Sequence, residues 1–256
     1  MTVSDAELRE RQARSQRALY RLLAPTTPGG HVVEFDGAVI ASVVPAVPQR
    51  SLPNAVVYED DSGVEPVLEE LSALYEGAGV AAWTVWARPG DDQLAEVLRR
   101  EGHRLDGAPE LMGAVIGDCD LEPRTPLEIV AGTWQDVAVC NDAAYGYESP
   151  TFGPLVAGLG ERLRRYVGRD QTGAVVGCAV AAHIEGDCYI TFVATPAAAR
   201  GRGVASDLMR AALREGLEEG CVTTTLEASA MGRSAYERLG YRPLGALQMW
   251  ERREQR

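Results

Sequence analysis

The sequence predicts an α/β (α+β) chain built from two similar halves, and three features carry that reading. One is a strand, Tyr189-Ile-Thr-Phe-Val-Ala-Thr, that runs through Arg200-Gly-Arg-Gly-Val-Ala into an amphipathic helix. Another is the alternation of short apolar strands with helical segments from Pro126 onward. The third is a fainter recurrence of the same order of elements before residue 126.

In the second half, Leu127–Val130 reads as a strand and Thr133–Tyr145 as a helix. A polar, aromatic stretch with Tyr145, Tyr147, Glu148 and Phe152 follows, then a helix expected over Leu155–Leu163. Strands near 164–170 and 174–185 are joined by the turn Asp170-Gln-Thr-Gly173. The glycine-turn strand occupies about 188–194. The helix after it carries Ala205, Leu208, Met209, Ala212, Leu213 and Leu217 on one face and stops at Gly220. A strand over 222–228, a short helix around Tyr236 and a last strand near 245–251 complete the half.

The turn at 200–205 aims a row of backbone N–H groups and a helix N-terminus at one small volume, which suits a pyrophosphate. Its glycines permit positive φ and close approach of an anion. A Walker loop would need Lys followed by Ser or Thr, and a dinucleotide fingerprint would need a third glycine where Ser206 stands. The spacing that fits is Arg-x-x-Gly-x-Ala, Arg200 to Ala205. Together with Leu226-Glu-Ala-Ser-Ala-Met-Gly232 and Ala235-Tyr-Glu-Arg-Leu-Gly-Tyr241, it resembles the coenzyme A loop and following motif of the GCN5-related N-acetyltransferases, the GNAT superfamily.

That resemblance implies a mixed, mostly antiparallel sheet flanked by helices, with acetyl-CoA as cofactor. It implies coenzyme A contacts at Val193, Ala194, Thr195, Arg200, Gly201, Arg202, Gly203, Val204, Ala205 and Ser206, mostly through backbone N–H groups. A tyrosine of the short helix is placed at the thiol, so Tyr236 is the expected acid for the departing thiolate; a core aromatic is the other reading. A carboxylate on the motif strand points to Asp187 and Glu185 as candidate bases, and both also suit a polar hairpin. Tyr145, Tyr147 and Glu148 fall where related folds line the acceptor site, and they also suit plain packing. Many members carry an asparagine early in the second motif, where this chain reads Ser229-Ala-Met-Gly232, which leaves the acceptor open.

The first half aligns when Gly102 is placed on Gly240. Ala95–Leu105 then falls on the tyrosine helix, and the helix with Val64, Val67, Leu68, Leu71, Leu74 and Tyr75 falls on the helix after the glycine turn. The chemistry is gone: Glu59, Asp60, Asp61 and Glu65 surround the would-be anion site, and Leu98 stands in place of Tyr236. The expected organisation is a degenerate GNAT-like domain over 1–125, without a cofactor site, and a catalytic domain over 126–256. An unrelated α+β first domain is the alternative.

At 256 residues the chain accommodates two small domains, and it carries a net charge of −12. That charge argues against nucleic acid as a partner. No apolar run reaches the ~18 residues of a membrane span. The N-terminus has no basic stretch followed by an apolar one, so a cytoplasmic location is expected. Five scattered cysteines read as reduced thiols, and three separated histidines offer no metal pattern. The expected activity is acetyl transfer to a primary amine of a small molecule by direct attack in a ternary complex. The alternatives are acetylation of a protein N-terminus or lysine, and a non-catalytic coenzyme A-binding module. A homodimer is compatible with all three.

Overall fold

The computed structural model describes residues 3–36, 38–59, 63–147 and 151–254. In chain order the elements are α1 (Asp5–Leu23), β1 (His31–Phe35), β2 (Val39–Val43), β3 (Ala55–Val57), α2 (Leu68–Gly77), β4 (Ala82–Ala87), α3 (Asp92–Arg100), β5 (Arg104–Gly107) and β6 (Glu110–Val115). They continue with β7 (Glu128–Ala131), α4 (Trp134–Tyr145), α5 (Gly153–Val156), β8 (Arg164–Arg169), β9 (Val175–Ile184), β10 (Asp187–Ala194), α6 (Val204–Glu218), β11 (Thr223–Ala228), α7 (Arg233–Leu239), β12 (Arg242–Ala246) and β13 (Gln248–Arg253).

The chain divides into two compact units. Unit 1 comprises residues 1–15 and 112–243, and unit 2 comprises 16–111 and 244–256. The 125/126 boundary expected from sequence falls inside unit 1. The reason lies in the sheets. One has the order β1-β2-β3-β4-β13-β5, so the C-terminal strand serves unit 2. The other runs β12-β6-β11-β10-β9-β8-β7, so a strand preceding residue 126 serves unit 1. Both sheets are mixed. β3 and β4 pair in parallel, as do β10 and β11, while the other registered pairs are antiparallel.

Unit 1 buries most of the face of α6 predicted from its spacing: Leu208, Met209, Ala212 and Leu213, joined by Val204, pack with Ala179, Ala181, Cys188, Ile190, Leu226 and Ala228. Ala205 is only partly buried, and Leu217, 46% exposed, lies off that face. Gly177 lets α6 approach β9, since a Cβ there would meet Val204 at 2.5 Å. On the opposite face, α4 covers β9 and β10 through thiol contacts from Cys178 to the Val137 carbonyl and from Cys140 to the Ala194 carbonyl. α4 begins as its sequence suggests: Thr133 and Asp136 form a capping box, and Gly146 closes the helix at φ 72.

Two expected elements differ. The helix placed over 155–163 is the single turn α5. Pro154 starts it, and Gly158 and Gly160, the latter at φ +56, end any continuation. The last strand is two strands, β12 and β13, that go to different sheets. Gly245 at φ +114 and Leu247, whose N–H bonds the Pro109 carbonyl, carry the break between them.

Unit 2 packs α2 and α3 around Tyr58, Leu71, Tyr75, Trp83, Leu98 and Trp250, with Tyr75 stacked on Trp83 at 4.7 Å. Among the described residues no helix is long and apolar enough to cross a membrane.

Candidate active site

The site begins with a break in the regularity of β10. Thr191 pairs with Val180, but the next registered pair is Ala194 with Cys178, so one extra residue is accommodated around Phe192 and Val193. Phe192 sits at φ +49, rare for a bulky side chain, and its ring meets Phe152 edge-on at 4.7 Å. A bulge of this kind turns peptide groups out of the ladder. On its other side β10 pairs with β11 only over Asp187–Tyr189 and Thr223–Thr225. Beyond that the two parallel strands separate, leaving an opening in the sheet beside the bulge.

At the head of this opening lies the glycine turn. Gly201 and Gly203 take φ +73 and +79, the left-handed geometry the sequence implied, and both are exposed. The first backbone bond of α6 runs from the Asp207 N–H to the Gly203 carbonyl. Among the described residues, the N–H groups of Gly201, Arg202, Gly203, Val204, Ala205 and Ser206 find no backbone acceptor. Six consecutive donors around a helix N-terminus form a concave anion cradle. The Thr195 hydroxyl, just past the end of β10, is buried without a hydrogen-bond partner among the described residues. Orphaned donors at both ends of the loop fit a phosphate-bearing ligand lying along it.

The two arginines of the turn divide the work. Arg200 is a brace: its Nε donates to the Thr195 carbonyl (3.0 Å) and a terminal nitrogen to the Ala144 carbonyl at the end of α4 (2.8 Å). Arg202 is exposed and lines a cavity of about 460 Å³ with Arg124, Thr125, Asp170, Thr172 and Val204. The segment entering this cavity is pinned to α6. Asp207 accepts from the backbone N–H groups of Arg124 and Thr125 and from the Thr125 hydroxyl, and pairs with Arg210 (2.7 Å), which also reaches Asp120.

Tyr236 stands on the α6 side of the opening, 8% exposed, packed with Leu226 and Ala228 and 6.0 Å from the ring of Tyr241. Its hydroxyl has no hydrogen-bond partner among the described residues. Burial pushes the phenol up to about 12, with Tyr145 adding to the shift, so it is a neutral proton donor at physiological pH. Tyr145 and Tyr147 are 64% and 42% exposed, their rings 6.3 Å apart at the end of α4. Glu148 lies outside the described residues.

The two carboxylates suggested as bases sit at the end of β10 away from the bulge. Asp187 is buried and accepts hydroxyl hydrogen bonds from Ser15 (3.0 Å), Thr223 (2.8 Å) and Thr225 (2.6 Å). Burial raises its carboxyl above the usual range against those bonds. Glu185 occupies the hairpin turn at φ +48, exposed, with Arg14 at 3.7 Å. The structure does not bring either to the opening. It brings Glu227 there, on β11 just past the last paired residue. Tyr189 donates to both its oxygens (3.0 and 2.8 Å) and Gln12 of α1 to one. Burial pushes this carboxyl up to about 7 against the pull of those bonds. The alternation Thr223, Thr225, Glu227 was the available signal that it shares a face with Asp187 and Tyr189. Among the described residues no cluster of metal-ligating side chains occurs.

Among the described residues, unit 2 shows no comparable cradle. Its α2 is preceded by a 3-10 turn, Glu65–Val67, in which Pro66 has no N–H and the Val67 N–H is spent on the Val64 carbonyl. Leu98, fully buried, takes the place corresponding to Tyr236.

Residues 135–241 match the model of the acetyltransferase (GNAT) family. Among solved structures the chain is similar to a GCN5-related N-acetyltransferase from Kribbella flavida, with 18% identity and a TM-score of 0.66 over 94% of this chain and 95% of that one. A GCN5-related N-acetyltransferase from Sphaerobacter thermophilus gives 13% and 0.61 over 98% and 94%. A tandem GNAT protein from the clavulanic acid biosynthesis pathway gives 14% and 0.59 over 95% of each chain. At these identities the likeness is one of fold. No curated protein matches the chain significantly. The match over 135–241 falls on the bulged strand, the cradle and the tyrosine helix of unit 1, so this chain is an acyltransferase that carries a domain of the acetyltransferase (GNAT) family.

Proposed function

We propose that unit 1 transfers an acetyl group from acetyl-CoA to a primary amine of a small molecule, by direct attack in a ternary complex in the cytoplasm. The observation that carries this reading is the run of six unpaired N–H groups at the head of an opened pair of parallel strands. The cradle, with Arg202, would hold the pyrophosphate. Bound there, the cofactor supplies an activated thioester to the opening. Val193, turned out of register with β9, offers its backbone N–H to the oxygen on which charge develops. Tyr236 gives a proton to the departing sulfur. Tyr145 and Tyr147 offer ring faces to a cationic acceptor. Unit 2, with Pro66 and Leu98 at the corresponding positions, is read as a copy without a cofactor site.

The test is mass-spectrometric screening of the full-length protein with acetyl-CoA, a library of small primary amines, and competing peptides with free N-termini or lysines. Acetylation of small amines in preference to peptides is expected. Preference for peptides would move the acceptor to protein, and acetyl-CoA binding without turnover of any amine would leave a binding module.

A further inference from the structure

We propose that Glu227 is the base that takes the proton from the acceptor amine, held in place by Tyr189 and Gln12. This rests on the acetyl-transfer reading and assigns the one role that Asp187 and Glu185, by their positions, leave open.

The sheet of unit 1 presents two faces. Cys188, Ile190, Leu226 and Ala228 point to α6 and to Tyr236. Side chains alternate along a strand, so Tyr189, Thr225 and Glu227 point to the other face. The strands part immediately beyond Tyr189 and Thr225, and Glu227 is the next outward residue of β11. A group lying in the opening therefore has Tyr236 on one side and Glu227 on the other. That is the arrangement needed when a proton is delivered to a leaving group on one side and removed from a nucleophile on the opposite side.

Its partners leave it suited to the task. Asp187 is enclosed by three hydroxyl donors that stay within the protein. Glu227 is held by one phenol and one carboxamide, and no cation pairs with it among the described residues. The titratable and charged groups around it are Tyr189 and Asp187 from β10 and, from α1, Arg11 next to Gln12, itself tied to Glu7 at 2.8 Å. The Asp187 charge adds to the effect of burial. The Gln12 carboxamide nitrogen, an N–H donor on the Glu227 carboxylate, already occupies the kind of position an acceptor nitrogen would take.

The step balances without a further reactant. The ammonium form of the acceptor first loses one proton to water; the Glu227 carboxylate then accepts a second from the neutral nitrogen as its lone pair forms the bond to the acyl carbon. The carbon–sulfur bond breaks, its electron pair leaves on sulfur, and the Tyr236 hydroxyl protonates the thiolate. Glu227 then releases its proton to water, from which Tyr236 recovers its own.

The experiment reads Glu227 directly and so does not depend on knowing the acceptor. Full-length protein carrying 13C-labelled glutamate carboxyls is titrated by infrared or NMR spectroscopy, alone and with acetyl-CoA, beside Glu227→Gln and Tyr189→Phe. A carboxyl with a midpoint near 7 is expected. It should be absent in Glu227→Gln, displaced upward in Tyr189→Phe because a donor to the carboxylate is gone, and moved by acetyl-CoA. With any amine that the wild type acetylates, Glu227→Gln should lower kcat/KM at least a hundredfold and abolish its rise through pH 7, while acetyl-CoA affinity changes less than threefold. A Glu227 midpoint near the ordinary value, one indifferent to acetyl-CoA, or full turnover by Glu227→Gln would overturn the assignment. Failure of the wild-type protein to bind acetyl-CoA would instead overturn the reading on which it rests.

Discussion

Tyr236, buried, and Glu227, half-buried, both hold their proton more tightly than in water, and each has a measurable consequence. The Tyr236 hydroxyl has no hydrogen-bond partner among the described residues, so Tyr236→Phe should leave stability nearly unchanged. Stabilisation of the thiolate arises only as the carbon–sulfur bond breaks, so kcat should fall about ten- to a thousandfold with acetyl-CoA affinity intact. An unchanged kcat would return Tyr236 to the core. For Glu227 the folded value of about 7 lies above the ordinary 4.5. Between those values the folded chain keeps a proton that the unfolded chain has lost, so the stability tied to that proton declines as pH rises and is gone above 7. Glu227→Gln should therefore raise Tm at pH 8 clearly more than at pH 5, by an amount corresponding to at most about 3 kcal/mol. An equal shift at both pH values would contradict this. Tyr236 was legible because its helix has a recognisable pattern. Glu227 stands in the quoted motif, yet its role depends on the register of β11 against β10 and on Gln12, which is far away in sequence.

The glycine turn is the element on which cofactor binding depends, and its two glycines differ in their surroundings. A Cβ at Gly201 would meet nothing within 4 Å, whereas one at Gly203 would meet the Thr125 methyl at 2.9 Å. Gly203→Ala therefore meets both the left-handed backbone and the pinned segment, at a cost of about 1–2 kcal/mol. It should weaken acetyl-CoA binding at least tenfold and lower Tm. Arg202→Glu touches only an exposed side chain and should weaken binding comparably without moving Tm. Calorimetry and thermal unfolding of the two variants check this, and unaltered affinity in both would remove the pyrophosphate from the turn. The turn and its helix were readable because glycine spacing and apolar periodicity are local. α5 is shorter than the apolar residues past Ala157 suggest because Gly158 and Gly160 end it, and the bracing contact of the Arg200 side chain depends on the Ala144 carbonyl, far away in sequence.

At the scale of the whole molecule, the order β3-β4-β13-β5 in unit 2 repeats β10-β11-β6-β12 in unit 1, with the inserted strand taken in each case from the other part of the chain. The recurrence of Gly102 and Gly240 behind α3 and α7, both at positive φ, announced the repetition. The strand exchange was invisible to it, because neither β6, largely apolar, nor β13, largely polar with Trp250 buried, carries a local pattern that says which sheet it joins. A fragment of residues 126–256 lacks β6 of unit 1 and carries β13 of unit 2 without partners. It should aggregate or fail to give a cooperative transition, and a soluble, cooperatively unfolding fragment with full acetyl-CoA affinity would contradict the exchange. The central claim is that one unit binds the cofactor and the other does not. Calorimetric titration of the full-length protein with acetyl-CoA tests it most directly. One molecule per chain is expected, with binding lost in Arg202→Glu combined with Gly203→Ala and retained in Leu98→Ala. Two molecules per chain, or binding that survives the double change, would contradict it.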